Sequence, residues 1–363
     1  MENIIPLRLL PARAWRTYVG GKRIAALHGE MLPNDNHYPE EWLFSIIEAR
    51  NSNCPGQHEG LSIIADSEIS LLEYIKSNPE ATLGTKHLST WGVTTGVLLK
   101  LIDAAERLTI QVHPSKEIAQ KLFHSPFGKT ECWHFLENQK VNGHLPYFYL
   151  GFKPGITKEH WQQLFEQQDI TGMLQCLHQF EAKEGQTVLI EGGVPHAIGE
   201  GCFLMEIQEP TDYTIRTERF TPAGLHIADE MCHQGLGFSK MMDCFSYKGF
   251  SRDEAMRRWS IPPQTISYGN NSCTILVDAK HTRCFSLERW NIVQPTTFHG
   301  EGVFSGLYIL AGSGWLQVNH IREKLLPGDS FFIPAECQPF SLYCEEPLIL
   351  FRCFGPNLSE ETI

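Results

Sequence analysis

The sequence predicts a mostly β protein built from two β-sandwiches with attached helices. After Gln264, short apolar strands such as GLYILAG and PLILFRCF alternate with turns about every eight to twelve residues, which is typical of a sandwich or barrel. Earlier in the chain, EGQTVLIEGGVPHAIGEGCFLMEIQ predicts a strand, a glycine-rich turn and a second strand. Helical spacing of apolar residues appears between such strands, so the first sandwich should carry helical insertions.

Changes of pattern divide the chain into three predicted segments. Residues 1–228 form the first β domain with its helical insertions, residues 229–264 form a helical linker, and residues 265–363 form the C-terminal β domain. The prolines of SIPPQTI mark the last boundary. Within the first domain, SEISLLEYIKSNPEATLG predicts a helix that begins near Ser67, and ITKEHWQQLFEQQDITGMLQCLHQF predicts a helix pair.

Composition limits the classes of function. The chain has 363 residues, 42% of them hydrophobic and 20% charged, which is ordinary globular composition. The net charge of −12 and the absence of a basic stripe argue against a nucleic-acid partner. No apolar run reaches the roughly eighteen residues of a membrane span, and Pro6, Arg8 and Pro11 interrupt any signal-peptide core. Eleven cysteines without a CxxC pair predict reduced thiols, so we expect a cytoplasmic protein.

Four possible metal ligands recur along the chain. Gln111 and His113 in RLTIQVHP are two positions apart on a predicted strand, so their side chains project from one face. Glu131 lies far enough along the chain for a turn and a returning strand to separate it from His113. His196 follows a second turn-rich stretch. A single histidine in an apolar strand is more often a hydrogen-bonded core residue, but four ordered ligands favour a metal. This nitrogen and oxygen set suits zinc, manganese, cobalt or iron better than copper(I).

Several motifs that contain these ligands resemble one enzyme family. The order QVHP, GKTECW, PHAIGEG and EIQEPTDYTIR resembles the class I mannose-6-phosphate isomerases, the short bacterial type of zinc-dependent cupin. The resemblance runs from about residue 10 to the C-terminus and is densest between Lys100 and Arg219. It implies two cupin-type jelly rolls and one zinc ion per chain, held by the four candidate ligands.

The resemblance also implies an activity and its residues. The expected reaction interconverts mannose 6-phosphate and fructose 6-phosphate through a cis-enediol, so the partner is a small sugar phosphate. Arg216, Lys129 and Asp212 match catalytic positions, while Lys100 and Ser115 match substrate-binding positions. Arg216 is expected to stabilise enediolate charge and Lys129 to move a proton or bind an oxygen. The identity of the general base is open.

Each of these residues also has a structural alternative. Lys129 could be a solvated surface lysine, and Asp212 could pair with Arg216 in a salt bridge. Lys100 interrupts the apolar run GVLLKLIDAAERL, so its charge needs a partner such as Asp103 or a phosphate. Ser115 precedes KEIAQKLF and has the properties of a helix N-cap.

The chain departs from the family pattern at several positions. Tyr18 and Val19 precede the two glycines where the family has tryptophan, and Arg219 stands where an aspartate is usual. Ile215 replaces a common tyrosine, which predicts that an aromatic wall of the pocket is missing. The family's His-Lys-Pro-Glu is Gly-Lys-Thr-Glu at residues 128–131. All four ligands remain, so these departures concern the choice of sugar.

The C-terminal β domain echoes the first one without its ligands. Aligning EGQTVLIEGGVPH with PGDSFFIPAECQP pairs Gly185 with Gly328 and places His196 opposite Pro339. Since proline offers no side-chain donor atom, we expect this copy to bind no metal and to support the first domain.

Three other functions stay open from the sequence. They are isomerisation of a different sugar phosphate, non-catalytic binding of a sugar phosphate by a metal-bearing cupin, and iron-dependent dioxygenation. A glutamine ligand fits a non-redox ion better than the usual facial set of an iron oxygenase. The oligomeric state is also left open.

Overall fold

The protein is built mainly from antiparallel sheets, as the sequence predicts. The computed structural model describes residues 4–51, 59–137, 140–141, 143–300, 302–337 and 339–357. Within these ranges the strands form three sheets. No helix in the described part of the chain is both long enough and apolar enough to cross a membrane.

The elements of the first two thirds alternate strands with short helices. In chain order they are β1 Leu7–Leu9, β2 Ala12–Ala14, α1 Lys22–Leu27, β3 Glu40–Leu43, α2 Leu71–Ser77, α3 Pro79–Leu83, α4 Thr85–Trp91, β4 Leu98–Asp103, β5 Gln111–Val112, α5 Lys116–Phe123, β6 Glu131–Phe135, β7 Tyr147–Phe152, α6 Lys158–Gln167, α7 Ile170–Gln175, β8 Leu177–Glu181, β9 Thr187–Ile190, β10 His196–Ile198, β11 Phe203–Gln208 and β12 Ile215–Arg216.

The remaining elements are first helical and then entirely β. They are α8 Asp229–His233, α9 Phe238–Met241, a 3-10 helix Met242–Cys244, α10 Arg252–Trp259, β13 Ser260–Ile261, β14 Gln264–Tyr268, β15 Asn271–Val277, β16 Ser286–Ile292, β17 Thr296–Phe298, β18 Ser305–Val318, β19 Ile321–Leu325, β20 Ser330–Ile333 and β21 Phe340–Phe354.

Two sheets enclose the first core. A five-stranded sheet has the order β12-β5-β10-β7-β8, and a seven-stranded sheet has the order β13-β9-β6-β11-β4-β3-β2. Alternate side chains of both sheets meet in one apolar cluster that includes Trp133, Phe148 and Leu204. Because side chains alternate along a strand, polar residues at the end of this core can face the same interior space.

The seven-stranded sheet is buried on its second face as well. Leu101, Cys132 and Met205 from this sheet pack in one cluster with Phe332 and Phe351 from the C-terminal strands. Cys132 therefore points away from the face that carries Glu131, as the alternation of strand residues predicts. Burial on both faces explains why β11, FLMEIQ, is apolar almost throughout.

The first strand of the chain joins the last sheet. β1 pairs antiparallel with β20, with Leu7 opposite Phe332, and so extends the nine-stranded sheet of C-terminal strands. No sequence pattern indicates this pairing, because β1 has three residues and lies far from its partner in the chain. The boundary at residue 228 stays a prediction.

Residues 229–264 pack on the first two sheets. Ala255 and Trp259 of α10 belong to the core cluster between them, and β13 pairs with β9. The sequence predicted the helices but not this packing. A separate linker segment therefore also remains a prediction.

Helix boundaries depend on local capping. The helix expected near Ser67 begins later, as α2, because the side chain of Ser70 accepts from the Glu73 N–H and the Glu73 carboxylate accepts from the Ser70 N–H. This reciprocal pair satisfies two backbone donors at the helix start. The predicted helix pair is present as α6 and α7, although Leu177 begins a strand.

The core shared by two sheets should make unfolding cooperative. Phe351 is fully buried in this cluster and contacts the ring of His134, with centroids 5.8 Å apart. We expect Phe351→Ala to lower the free energy of unfolding by about 3–5 kcal/mol in one transition, measured by urea denaturation. The control Phe220→Ala, at a half-exposed position, should change it by less than about 0.5 kcal/mol. Two separate transitions would contradict the shared core.

Candidate metal centre

Neighbouring strands bring Gln111 and His196 together. Gln111 of β5 is directly opposite His196 of β10, and the Gln111 amide nitrogen lies 3.2 Å from Nε2 of His196. The regular ladder of β5 ends after Val112, and Pro114 follows soon after, without an N–H to donate. His113 is thereby placed at the open end of the strand, beside Gln111 and His196.

Glu131 reaches the same point from the opposite sheet. It is the first residue of β6, and its Oε2 lies 3.1 Å from Nε2 of His113. Its Oε1 lies 3.4 Å from Nε2 of His196. The three ligand atoms of this buried cluster lie within 4.8 Å of one another. One ion can therefore contact all three side chains.

The two imidazoles are oriented by backbone carbonyls. Nδ1 of His113 lies 2.8 Å from the carbonyl oxygen of Tyr213, and Nδ1 of His196 lies 2.8 Å from that of Val194. A carbonyl only accepts, so each Nδ1 carries the proton and each Nε2 presents a lone pair to the cluster. This is the tautomer that a metal-binding histidine needs.

The carboxylate of Glu131 has an unsatisfied oxygen. Its Oε1 is buried and accepts no hydrogen bond from any residue in the described ranges. Burial alone would raise the pKa of Glu131, but Lys129, His113 and His196 together hold it well below its ordinary value. A buried anionic oxygen without a donor is costly, and a divalent cation would remove that cost. The donor set therefore fits a divalent metal ion.

Burial also keeps the histidines neutral. It lowers the pKa of His113 to about 4, with a contribution from the Lys129 charge, and it lowers the pKa of His196 as well. Metal ions bind the neutral imidazole. Both rings should thus be ready to bind metal at neutral pH.

Lys129 is part of the cluster. It is 3% exposed, which shows that the solvated-surface alternative is wrong. Its Nζ lies 2.7 Å from Nε2 of His113 and 2.9 Å from Oε2 of Glu131. Lys129 and Glu131 are two positions apart, so both side chains leave the chain on the same face.

A charged cavity opens beside Gln111 and Lys129. The space in it that water molecules can occupy is about 30 Å³. The charged residues that line it, in addition to Lys129, are Arg16, Glu40, Lys100, Glu206, Asp212 and Arg216. Four of the residues predicted from the sequence as catalytic or substrate-binding therefore line this cavity.

Lys100 has different partners from the one expected. Its Nζ lies 3.2 Å from Glu206 and 3.6 Å from Glu40, while Asp103 binds Arg23 at 2.6 Å. The prediction of an Asp103 partner is therefore wrong. On a strand, positions 100 and 103 project from opposite faces, which the one-dimensional spacing already implies.

Arg216 and Asp212 do not form the alternative salt bridge. Asp212 pairs with Arg16 at 3.4 Å, whereas Arg216 donates to the carbonyl oxygens of Met231 at 2.9 Å and Thr214 at 3.2 Å. Among the residues that the structure describes, no carboxylate forms an ion pair with Arg216. Burial lowers the pKa of Arg216 despite the more distant Asp212 charge. This cation is the one whose charge is least compensated in the cavity.

Sequence reasoning missed three charged residues of the cavity wall, Arg16, Glu40 and Glu206. Arg16 bonds Glu40 at 2.9 Å, and the Tyr18 hydroxyl donates to the same carboxylate at 2.9 Å. Burial, followed by the nearby Glu131 charge, raises the pKa of Glu206. A usable signal was present for Glu206, since a carboxylate in the apolar strand FLMEIQ requires a partner.

Two residues lie away from the cavity. The Ser115 hydroxyl accepts from the Ile118 N–H and caps α5, and Ser115 is not among the residues that line the cavity. Ile215 is buried in an apolar cluster with Ile110 and Phe165. The expected loss of an aromatic wall at Ile215 is therefore wrong, because in this chain that side chain faces a core.

Comparisons of sequence agree with the motifs. The model of the mannose-6-phosphate isomerase cupin domain matches residues 277–351. The probable mannose-6-phosphate isomerase GmuF of Bacillus subtilis is 25% identical over 250 residues, which are 68% of this chain and 71% of that protein. Mannose-6-phosphate isomerase ManA of the same organism is 24% identical over 68% of this chain and 71% of its own length.

Solved structures share the fold over nearly the whole chain. A crystal structure of mannose 6-phosphate isomerase from Bacillus subtilis matches with a TM-score of 0.73 and 21% identity, covering 96% of this chain and 99% of the other. A mannose 6-phosphate isomerase bound with zinc and yttrium matches with a TM-score of 0.71 and 16% identity, covering 97% and 100%.

The fold and the buried cluster define a metal-binding β protein with a cupin domain. The resemblance of its motifs to the class I mannose-6-phosphate isomerases is confirmed.

Because His113 is buried in its neutral form, the free energy of unfolding of the metal-free protein should depend on pH. The pKa of this histidine falls from 6.5 to about 4 on folding, so the unfolded chain binds a proton that the folded chain does not. The stability that this pKa difference contributes is fully present above about pH 6.5 and is lost as the pH falls to about 4. In chelator-treated protein, His113→Asn should reduce the slope of unfolding free energy in this window by up to about 1.4 kcal/mol per pH unit. The control His299→Asn, at an exposed position, should keep the parental slope. Equal slopes for His113→Asn and the parent would contradict a neutral buried His113.

Proposed function

We propose that this chain is a metal-dependent aldose–ketose isomerase that interconverts mannose 6-phosphate and fructose 6-phosphate through a cis-enediol. One observation carries the proposal: the buried cluster of His113, Glu131 and His196 adjoins a cavity lined by both cations and carboxylates. Such a reaction needs charge stabilisation at an oxygen and a proton carrier on the same substrate.

The proposed metal is one zinc ion per chain, held by Gln111, His113, Glu131 and His196. Zinc bound there supplies Lewis-acid stabilisation of the negative charge that develops on the sugar oxygens. Imidazole nitrogens with carboxylate and amide oxygens are suitable zinc ligands. Gln111 would turn its amide oxygen toward the ion, a rotation that exchanges two nearly equivalent orientations.

Proton transfer between C2 and C1 requires a group that can both accept and donate. Lys129 is assigned to this step or to binding of the reacting oxygen, because it lies between the cluster and the cavity. Glu206 is a second candidate, since its raised pKa brings a carboxyl nearer to the working pH. Asp212 keeps a lowered pKa beside Arg16, so it is assigned to accept hydrogen bonds from sugar hydroxyls.

Arg216 is assigned to the enediolate. Its guanidinium is anchored by backbone carbonyls of Met231 and Thr214 and makes no ion pair with another described residue. A fixed charge that is not neutralised by a protein carboxylate can act fully on an oxyanion that forms during the reaction.

The charge of the site suits a phosphate dianion. Four cations balance four carboxylates in and beside the cavity: Arg16, Lys100, Lys129 and Arg216 against Glu40, Glu131, Glu206 and Asp212. A divalent ion then leaves an excess of two positive charges. Close to the site, this local excess of positive charge outweighs the repulsion of an anion by the net charge of −12 of the whole chain.

The two proposed substrate contacts, Lys100 and Ser115, are supported by different observations. Lys100 lines the cavity and faces Glu206, so it can move toward an anionic group. Ser115 is proposed only from the family match, since its hydroxyl caps α5. A different hexose phosphate is the second candidate substrate, because Tyr18 adds a polar hydroxyl to the wall near the site where the family has tryptophan.

The finer architecture is also proposed. Both β units would be cupin jelly rolls, divided as residues 1–228, 229–264 and 265–363, with the C-terminal unit in a supporting role. A cytoplasmic location is supported by the free thiols of the cysteines in the described ranges. The acidic net charge supports the absence of a nucleic-acid partner.

Metal dependence can be tested on purified protein. We expect about one zinc ion per chain by elemental analysis, and activity on mannose 6-phosphate in a coupled assay with a panel of hexose 6-phosphates. A chelator should abolish activity, and His196→Ala should lose both metal and activity because it removes a buried ligand. The exposed His299→Ala is the control and should retain both. Full activity without metal would show the proposal to be wrong.

Arg216 should act on the chemical step. Arg216→Ala is expected to lower kcat by about two to four orders of magnitude while metal content stays unchanged, since the charge acts mainly on the enediolate. The control is Arg219→Ala, which removes a guanidinium that stacks on Phe238 at 4.4 Å outside the cavity. A rise of KM alone for Arg216→Ala would instead make this residue a phosphate or hydroxyl binder.

A further inference from the structure

The strand that carries Gln111 has few backbone contacts of its own. β5 contains two residues, pairs with β10 only at Gln111 and His196, and pairs with β12 at two positions. Pairing over so short a length defines the position of a strand weakly, because register depends on the number of paired positions and on packing. Contacts outside this two-residue ladder should therefore help to hold Gln111 in place.

Glu218, two residues beyond the end of β12, supplies such a contact. It is 1% exposed, and its Oε1 accepts from the backbone N–H of Ile110 at 2.6 Å. The same carboxylate accepts two hydrogen bonds from the guanidinium of Arg107, at 2.6 and 2.8 Å. Arg107 also donates to the carbonyl oxygen of Leu108 at 2.8 Å. Bidentate pairing fixes the plane of the carboxylate as well as its position.

These bonds connect the two groups assigned to metal binding and catalysis. Ile110 immediately precedes Gln111, and Glu218 follows Arg216 by two residues. In addition, the Thr217 N–H donates to the Ile110 carbonyl oxygen at 3.0 Å. Ile110 is thus held on both its donor and its acceptor side by the residues that follow Arg216.

We propose that Glu218, with Arg107, is a positioning residue that holds Gln111 at the metal and fixes Arg216 on the neighbouring strand. The proposal rests on the metal ligands and on the role of Arg216 proposed above. Glu218 lines no part of the cavity, so it acts through the backbone of Ile110 and not on the substrate. Loss of the carboxylate would leave the Ile110 N–H and the Arg107 guanidinium without their buried acceptor.

Metal affinity is the direct readout. Zinc affinity is measured without substrate, by competition with a chromophoric chelator, for the parent, Glu218→Gln and Glu218→Ala. Glu218→Ala should weaken affinity by about 10–100-fold, the range typical of groups that orient metal ligands. Glu218→Gln keeps an acceptor for Ile110 and should weaken it less. Unchanged affinity in both variants would overturn the proposal.

A matched control separates positioning from general destabilisation. Asp103 also accepts from a backbone N–H and an arginine side chain, both from Arg23, at 2.6 and 2.7 Å, but it lies outside the cavity lining. Asp103→Asn should lower the melting temperature as Glu218→Gln does and leave zinc affinity unchanged. An equal fall of zinc affinity in both variants would show that Glu218 has only a structural role and would contradict the proposal.

A double-mutant cycle tests the route through Gln111. If Glu218 acts by holding this ligand, Glu218→Gln should have little further effect on zinc affinity in a Gln111→Ala background. The visible spectrum of the Co²⁺-loaded protein should change in the same direction in both single variants. Full additivity of the two losses would contradict the proposed route.

The outcome is separable from that of the proposed function. Zinc affinity and the Co²⁺ spectrum need no turnover, so they report on Glu218 even if the hexose phosphate panel shows no isomerisation. Conversely, if the protein is an active isomerase but its metal affinity does not depend on Glu218, only the positioning role is overturned.

Discussion

The arrangement of the site depends on the burial of one carboxylate. Glu131 is fully buried between two sheets, with one oxygen that accepts no hydrogen bond from the described residues. Its negative charge is tolerable there only because Lys129, His113 and His196 surround it and because a cation can bind. The same burial lowers the pKa of the histidines, so the requirement for a cation and the readiness of its ligands have one origin.

The seven-stranded sheet makes that burial possible. Its inner face carries Glu131 and Glu206 toward the site, and its outer face carries Cys132 and Met205 into the core shared with the C-terminal strands. Charged and apolar side chains alternate along the same strands. The C-terminal strands therefore contribute to the site without a ligand, because they keep water from the back of the sheet that holds it.

The sequence was most informative where chemistry follows from local spacing. The cap at Ser115 and the helix pair of Trp161 could be predicted because neighbours in the chain determine them, whereas the strand predicted over RLTIQV is present only at Gln111–Val112. Arg16 and the β1 pairing could not be predicted, since their partners are remote. Glu206 could not be predicted as the partner of Lys100 for the same reason, since the pairing depends on which strand lies alongside and pattern alone does not specify that strand.

The pairing of the first strand with the last sheet bears on synthesis. Leu7 pairs with Phe332, which lies 325 positions further along the chain, so this ladder can close only after most of the chain has left the ribosome. Until then the outer face of the seven-stranded sheet is exposed, although its inner core can already form. Contacts of such high sequence separation form slowly, so the nascent chain passes through a period in which that face is open to association with other chains.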